Sequence, residues 1–312
     1  MFLKKIRTSI TKIILPFFSK ILWVLKAYTR TVNYLNEKRR AANNVYNFNN
    51  IIEEILKNEK LIGMDVGAQG GFNSDEFFSK KYNKFFDTIL VDPFKDSLKR
   101  EQGKYIIDKG LWSSKCKKEL FILNKRPESS SMFEPDENSL TIYDYKEKDF
   151  HLFEVSKTEI VDCDTLSASL QNLKINNLDY LKIDTQGAEL EILKGLNNLR
   201  PLLIKTEVQV FPMYKKEPAW TEIVSHLYKL DYIVIDWKKI GSSATRSPVE
   251  MDMIFIPNFS SELGKKIILD NQKKFISLML ITGQIKLLKE ISKLLNLEYS
   301  RLFIQIEDKY YN

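Results

Sequence analysis

The sequence predicts a doubly wound α/β domain with a mostly parallel sheet and added helical segments at both ends. Three observations predict it. From Leu61 onward, short apolar runs alternate with amphipathic stretches, the pattern of buried parallel strands covered by helices. A glycine-rich turn, Asp65-Val66-Gly67-Ala68-Gln69-Gly70-Gly71, follows the first apolar run and leads toward an expected helix. The next run, Ile89-Leu90-Val91, ends in Asp92 and Pro93. The 312 residues suit one large domain with appendages better than two full domains. Residues 1–45 read as a basic amphipathic segment, 46–258 as the α/β domain and 259–312 as a C-terminal helical extension.

In the first segment, Ile6, Ile10, Ile13, Phe17, Ile21, Leu25 and Tyr28 recur at helical spacing, with Lys5, Lys12, Ser19 and Lys26 on another face. Pro16 and Lys20 interrupt the apolar run, which is too short for a membrane span, and no small-residue cleavage site follows. Two readings stay open: residues 1–30 lie on an anionic membrane surface, or they pack on the C-terminal helices.

In the central domain the expected strands are Leu61–Val66, Thr88–Asp92, Tyr105–Asp108, Tyr180–Asp184 and Leu202–Val208. Tyr232–Asp236 and Met251–Ile256 would add a hairpin at the sheet edge, joined by an irregular loop carrying Gly241, Ser242, Ser243 and Pro248. After Pro257 the apolar spacing returns to helical, through Ile267, Phe275, Leu278, Ile285, Leu288 and Ile291.

Composition excludes several classes. With 44% hydrophobic and 29% charged residues, the chain is neither disordered nor a multi-span membrane protein. The net charge of +7 is concentrated before Glu37, the first acid, so it does not imply a nucleic-acid groove. Cys116 and Cys163 lie far apart without a partner motif, which suggests neither a disulfide framework nor a zinc site. A reducing, cytoplasmic setting is expected, with the inner membrane face as the place of any peripheral contact.

The glycine turn lets the backbone approach a ligand closely, and Asp92 stands where a nucleoside-binding fold needs a carboxylate to accept two hydrogen bonds from a ribose diol. NAD-binding proteins use the same device. A third segment decides between cofactors: Leu181-Lys182-Ile183-Asp184-Thr185-Gln186-Gly187-Ala188-Glu189 runs from a strand tip into a helix.

With that segment, the chain closely resembles the FkbM family of methyltransferases. Its hallmarks are an Asp-Val-Gly-Ala loop, an acid-Pro pair and a Lys-Ile-Asp-x-x-Gly-x-Glu segment, and all three occur here in order, within residues 50 to 258. The resemblance implies a class I, Rossmann-like domain that binds S-adenosylmethionine and methylates a hydroxyl oxygen of a sugar, glycan or other small polar metabolite. It implies that Asp65, Gly67, Ala68 and Gly71 form the cofactor loop and that Asp92 holds the ribose. Asp92 replaces the more usual glutamate, Gly70 a common apolar residue and Ser167 a frequent acid.

Methyl transfer is a direct displacement, so acceptor oxygen, methyl carbon and sulfur must align while the hydroxyl proton is removed. Asp184 and Glu207 fall at carboxyl ends of expected strands and are the leading acid/base candidates, with Lys182 on the same strand face as Asp184 to pair with it. Two such carboxylates could also hold a divalent cation, but no metal is assigned. Glu189 reads equally well as a helix-start carboxylate bonding free amides near Gly187. Ser129-Ser130-Ser131 reads as a cover for the acceptor or as a surface connection, and Phe211-Pro212-Met213-Tyr214 with Trp220 as a sugar-packing loop or as an anchor. The alternatives are an NAD(P)-dependent oxidoreductase and a non-catalytic, membrane-associated protein that keeps the fold. Tyr105 and Lys109 match a reductase Tyr-x-x-x-Lys spacing, but they straddle a strand.

Overall fold

A computed structural model of the chain describes residues 47–94, 103–240 and 247–299. The expected N-terminal helix and most of the 241–248 loop lie outside these residues.

Helix α1 (Asn49–Leu56) precedes strand β1 (Leu61–Val66), and the chain continues through β2 (Phe86–Val91), β3 (Tyr105–Ile107), β4 (Gly110–Leu111) and β5 (Cys116–Ile122). A short helix α2 (Glu137–Leu140) leads to β6 (Lys157–Asp164), α3 (Leu166–Asn172), β7 (Tyr180–Ile183), α4 (Glu189–Lys194) and β8 (Leu203–Gln209). Then come α5 (Trp220–Lys229), the hairpin β9 (Tyr232–Ile240) and β10 (Glu250–Pro257), and three helices, α6 (Glu262–Asp270), α7 (Gln272–Ile281) and α8 (Ile285–Leu295).

Seven strands form one sheet in the order β3-β2-β1-β7-β8-β10-β9. The first five are parallel, and β10 runs antiparallel between β8 and β9. The fold class read from the sequence therefore holds, as does the edge hairpin. Strand order reverses between β1 and β7, and in such sheets the crevice above that point, at the carboxyl ends, is where ligands bind.

Alternation along each strand divides the core in two. Leu61, Phe86, Leu90, Tyr180, Leu203 and Ile254 face α1, α7 and α8, where Phe48, Ile52, Phe275 and Leu288 are buried. Met64, Val66, Ile89, Val91, Leu181, Ile183, Ile204 and Phe255 face α3, α4 and α5 through Leu166, Leu170, Leu193 and Leu227. Residues 276–281 are buried on every side of α7, so these C-terminal helices form one layer of the core.

Three expectations change. No α-helix follows the glycine turn; Gly67, Gly70, Gly71, Asn73 and Glu76 all take positive φ, a run incompatible with a right-handed helix, and the chain reaches β2 through a 3-10 turn at Lys80–Phe85. The polar stretch after β3 contains a second sheet, ordered β4-β6-β5, whose exposed faces carry Lys117, Glu119, Lys157 and Asp162. Finally, Cys116 and Cys163 are not apart in space: they stand directly opposite each other in the antiparallel pair β5–β6.

Candidate active site

The loop after β1 is fixed by its neighbours on both sides. Gly67 and Ala68 donate their amides to the Val91 carbonyl at 2.9 and 3.2 Å, and the Asp184 amide donates to the Val66 carbonyl at 3.0 Å. Gly67 has φ +79°, and a Cβ there would stand 1.8 Å from the Asp184 carbonyl oxygen. Only glycine fits that bend.

Above it opens a cleft of about 790 Å³, counting the space open to solvent at its mouth. Val66, Gly67, Val91, Asp92 and Phe94 form one side, and Asp184, Thr185 and Gln186 another. Lys109, Gly110 and Leu111 continue the wall, and Ser130, Ser131 and Met132 complete it. The serine stretch expected to cover an acceptor thus lies on the cleft.

Of the cofactor positions read from sequence, Gly67 and Asp92 line this cleft. Asp92 follows β2 directly, and its Oδ1 accepts the Phe94 amide at 2.7 Å, which holds the carboxylate at the strand tip. Asp65 is placed otherwise. It is wholly buried beneath the loop, accepting from Lys182 Nζ at 3.1 Å and from the Asn73 amide at 3.2 Å. Ala68 and Gly71 are buried too, joined by a hydrogen bond from the Gly71 amide to the Ala68 carbonyl at 3.0 Å. These three shape the loop and do not form the cleft wall.

The catalytic candidates separate in the same way. Asp184, at the end of β7, lines the cleft with its side chain 30% exposed. Lys182 does not reach the cleft: its side chain is 3% exposed, its nearer partner is Asp65, and Asp184 Oδ2 lies at 3.7 Å. Burial alone would strip its proton, but the carboxylates of Asp65, Asp184 and Asp75 hold it on, so Lys182 is a fixed cation and no proton acceptor. Glu207, partly exposed, does not line the cleft either. Burial, then the neighbouring Asp184, raises its carboxyl well above the ordinary range.

Gln186 joins the two acids. Its Nε2 donates to Asp184 Oδ1 at 3.1 Å and to Glu207 Oε1 at 2.9 Å. Its Oε1 lies 3.0 Å from the Tyr214 hydroxyl, and its backbone carbonyl accepts from Ser131 Oγ at 2.5 Å. It takes φ +58°, so the surroundings hold it in a conformation a glutamine seldom adopts. Reading the sequence missed this role, although Gln186 stands inside the diagnostic segment.

Glu189 takes the helix-start role. Its two carboxylate oxygens accept the Thr185 and Gly187 amides, each at 2.9 Å, and burial pushes its pKa up to about 7. The loop after β8 is an anchor, with Met213 and Tyr214 buried against Leu123, Leu140, Phe153 and Val249. Among the described residues, no group of three or more His, Cys, Asp or Glu side chains is arranged to hold a metal ion. No helix among them is long and apolar enough to cross a membrane.

A seven-stranded sheet with one antiparallel strand inserted near its edge, and a cleft above the β1 and β7 tips, has the architecture of a class I, Rossmann-like methyltransferase. The chain belongs to the FkbM methyltransferase family: residues 65–234 match the methyltransferase FkbM domain. No curated protein matches the chain.

Proposed function

We propose that this protein transfers the methyl group of S-adenosylmethionine to a hydroxyl oxygen of a sugar, glycan or other small polar metabolite. The observation that carries the reading is the placing of Asp92 and Asp184 on one cleft, with the Gly67 bend between them.

The residues present fit the nucleoside. Val66, Val91, Leu111 and Met132 give the cleft apolar walls, and Phe94, 37% exposed, presents a ring beside Asp92. Asp92 would hold the ribose diol and Gly67 would let the backbone come close. When bound, S-adenosylmethionine supplies an electrophilic methyl carbon on a sulfonium.

The chain's own part is to position the acceptor and remove its proton. Asp184 is the carboxylate on the cleft wall, and Gln186 and Lys182 hold it from two directions. A hydroxyl hydrogen-bonded to Asp184 gives up its proton as the oxygen forms its new bond. Ser130, across the cleft, accepts the Leu123 amide and has its hydroxyl hydrogen to offer a polyol acceptor. The basic residues of segment 1–30 would bring the enzyme to acceptors carried on an anionic membrane surface.

Calorimetry with S-adenosylmethionine and S-adenosylhomocysteine, followed by transfer of labelled methyl to a panel of glycans, tests the proposal. Binding of both nucleosides and label on an acceptor oxygen are expected. Folded protein that binds neither nucleoside overturns it.

A further inference from the structure

The second sheet brings together the cysteines that the chain holds 47 positions apart. Cys116 on β5 pairs in register with Cys163 on β6. The Phe121 amide and carbonyl both bond Ser131 on the outer side of β5, so every second residue back from Ile122, including Cys116, turns its backbone groups toward β6. The Asp164 carbonyl bonds the Trp112 amide on the β4 side, which turns the Cys163 groups toward β5. The two cysteines are therefore a hydrogen-bonded antiparallel pair. Such pairs have Cα atoms about 5.5 Å apart, with both side chains on one face, which lies within the separation a disulfide spans.

Both thiols are free, and they differ in setting. Cys163 is buried, and burial followed by the neighbouring Cys116 pushes its thiol up to about 12. Cys116 is half-buried and so meets solvent. Lys118, two residues along the same face, places its ammonium 4.0 Å from the centre of the Trp112 ring. The arrangement has a reachable attacking thiol and a sheltered resolving one.

The pair also touches the cleft. A Cβ on Gly110 would meet Cys163 Sγ at 2.6 Å and Met132 Cε at 2.4 Å, so that sulfur lies directly on the Gly110 backbone. Cys163 Sγ is 4.0 Å from Met132 Sδ. Gly110 and Met132 both line the cleft.

We propose that Cys116 and Cys163 are a site of reversible oxidation by small-molecule disulfides, and that closing the bond draws Cys163 Sγ off Gly110 and Met132 and loosens that wall of the cleft. The Cys116 thiolate attacks one sulfur of the small disulfide, forming a mixed disulfide and expelling one thiolate. Cys163 loses its proton to solvent and attacks the Cys116 sulfur, expelling the second. Two protein thiols are oxidised, and one small disulfide is reduced to two thiols.

The full chain, kept folded, is treated with oxidised glutathione, alkylated and mapped by mass spectrometry. A peptide linking Cys116 to Cys163, absent after dithiothreitol, is expected. Alkylation of both cysteines, a lasting glutathione adduct on Cys116 with no internal link, or a link that forms only in urea overturns the site. Calorimetry with S-adenosylhomocysteine reads the second half, which rests on the proposed cofactor. The oxidised protein should bind about five-fold more weakly, the effect of losing one set of wall contacts, while a Cys116→Ser/Cys163→Ser variant ignores the oxidant. Equal affinity in both states overturns the coupling to the cleft. If neither state binds the nucleoside, the cofactor reading has failed, and the mass map still decides the disulfide.

Discussion

Gly67 and Asp184 meet backbone to backbone: at the tips of β1 and β7, the Gly67 Cα lies so near the Asp184 carbonyl that no side chain fits between them. This contact ties the bend of the proposed cofactor loop to the strand that carries the candidate base. Gly67→Ala must therefore move one of the two strand tips, and it also strains a residue at φ +79°. The left-handed conformation alone costs about 1 kcal/mol or more, and the clash adds to it. Loss of S-adenosylhomocysteine binding with a lowered melting temperature is expected, whereas Gly70→Ala, whose Cβ would meet only Ser74 at 3.3 Å, should disturb binding less. Equal effects of the two changes would remove the special place given to Gly67.

Asp92 should act on affinity and leave the fold intact. Its carboxylate lines the cleft and accepts the Phe94 amide. Asp92→Ala removes a charge-assisted partner for the ribose, a loss of about 1.5–3 kcal/mol or roughly ten- to a hundred-fold in nucleoside affinity. Asp92→Asn, which keeps an oxygen for Phe94, should weaken binding less. Calorimetry at constant ionic strength separates the two, and unchanged affinity in both variants removes Asp92 from the site.

The buried pair Lys182–Asp65 should govern stability. Lys182→Met strands the Asp65 carboxylate in the core, and breaking one side of such a pair typically costs about 3–5 kcal/mol. Replacing both, as Asp65→Leu/Lys182→Met, removes the stranded charge and should recover much of the loss. Urea unfolding of the single and double variants tests this; a double variant no more stable than the Lys182 single would mean that the desolvated charge is not the cause.

Much of this arrangement was legible in the sequence because the strands are buried on both faces. Mostly apolar runs such as Leu61–Val66 and Tyr180–Ile183, each broken by one charge, stand out, and the glycine bend and strand-tip acids follow them. The second sheet was not legible: β5 and β6 bury one face only, and their outward Lys and Glu residues blur the alternation. Asp65 read as chemistry through the family resemblance and Lys182 through its place on the strand face of Asp184, yet a charge that looks functional in sequence can find its partner on the next strand. Gln186 went unnoticed because three of its four contacts, to Glu207, Tyr214 and Ser131, come from distant segments, which local spacing does not reveal.

Glu217 should make stability depend on pH. Its Oε2 accepts the Met213 and Tyr214 amides at 2.9 and 3.1 Å, yet burial, with Glu189 nearby, pushes its pKa from 4.5 up to about 8. Between these two values the folded protein keeps a proton that the unfolded chain has lost, so this group's contribution falls as pH rises through the window. Glu217→Gln retains an oxygen for both amides and removes the titration. The variant should match the parent near pH 4 and melt higher than it near pH 8, with a shallower decline between. Melting curves across the range check this, and equal slopes would exclude Glu217 as a source.

The last prediction concerns the acids that Gln186 holds together. Its amide nitrogen has two hydrogens, one directed to Asp184 and one to Glu207. Burial and the neighbouring Asp184 raise the Glu207 carboxyl, and of the two acids it is Asp184 that lines the cleft, where it can meet the acceptor hydroxyl. Asp184→Asn should lower methyl transfer by about 10²- to 10⁴-fold, the usual contribution of a general base, with nucleoside affinity nearly unchanged. Gln186→Glu tests the holding role separately, because a protonated carboxyl has one hydrogen to donate where the amide has two, and an ionised one has none. Transfer by that variant should decline as pH rises through the carboxylate range, where the parent's does not. Parallel pH profiles for variant and parent would show that the amide hydrogens do not position Asp184.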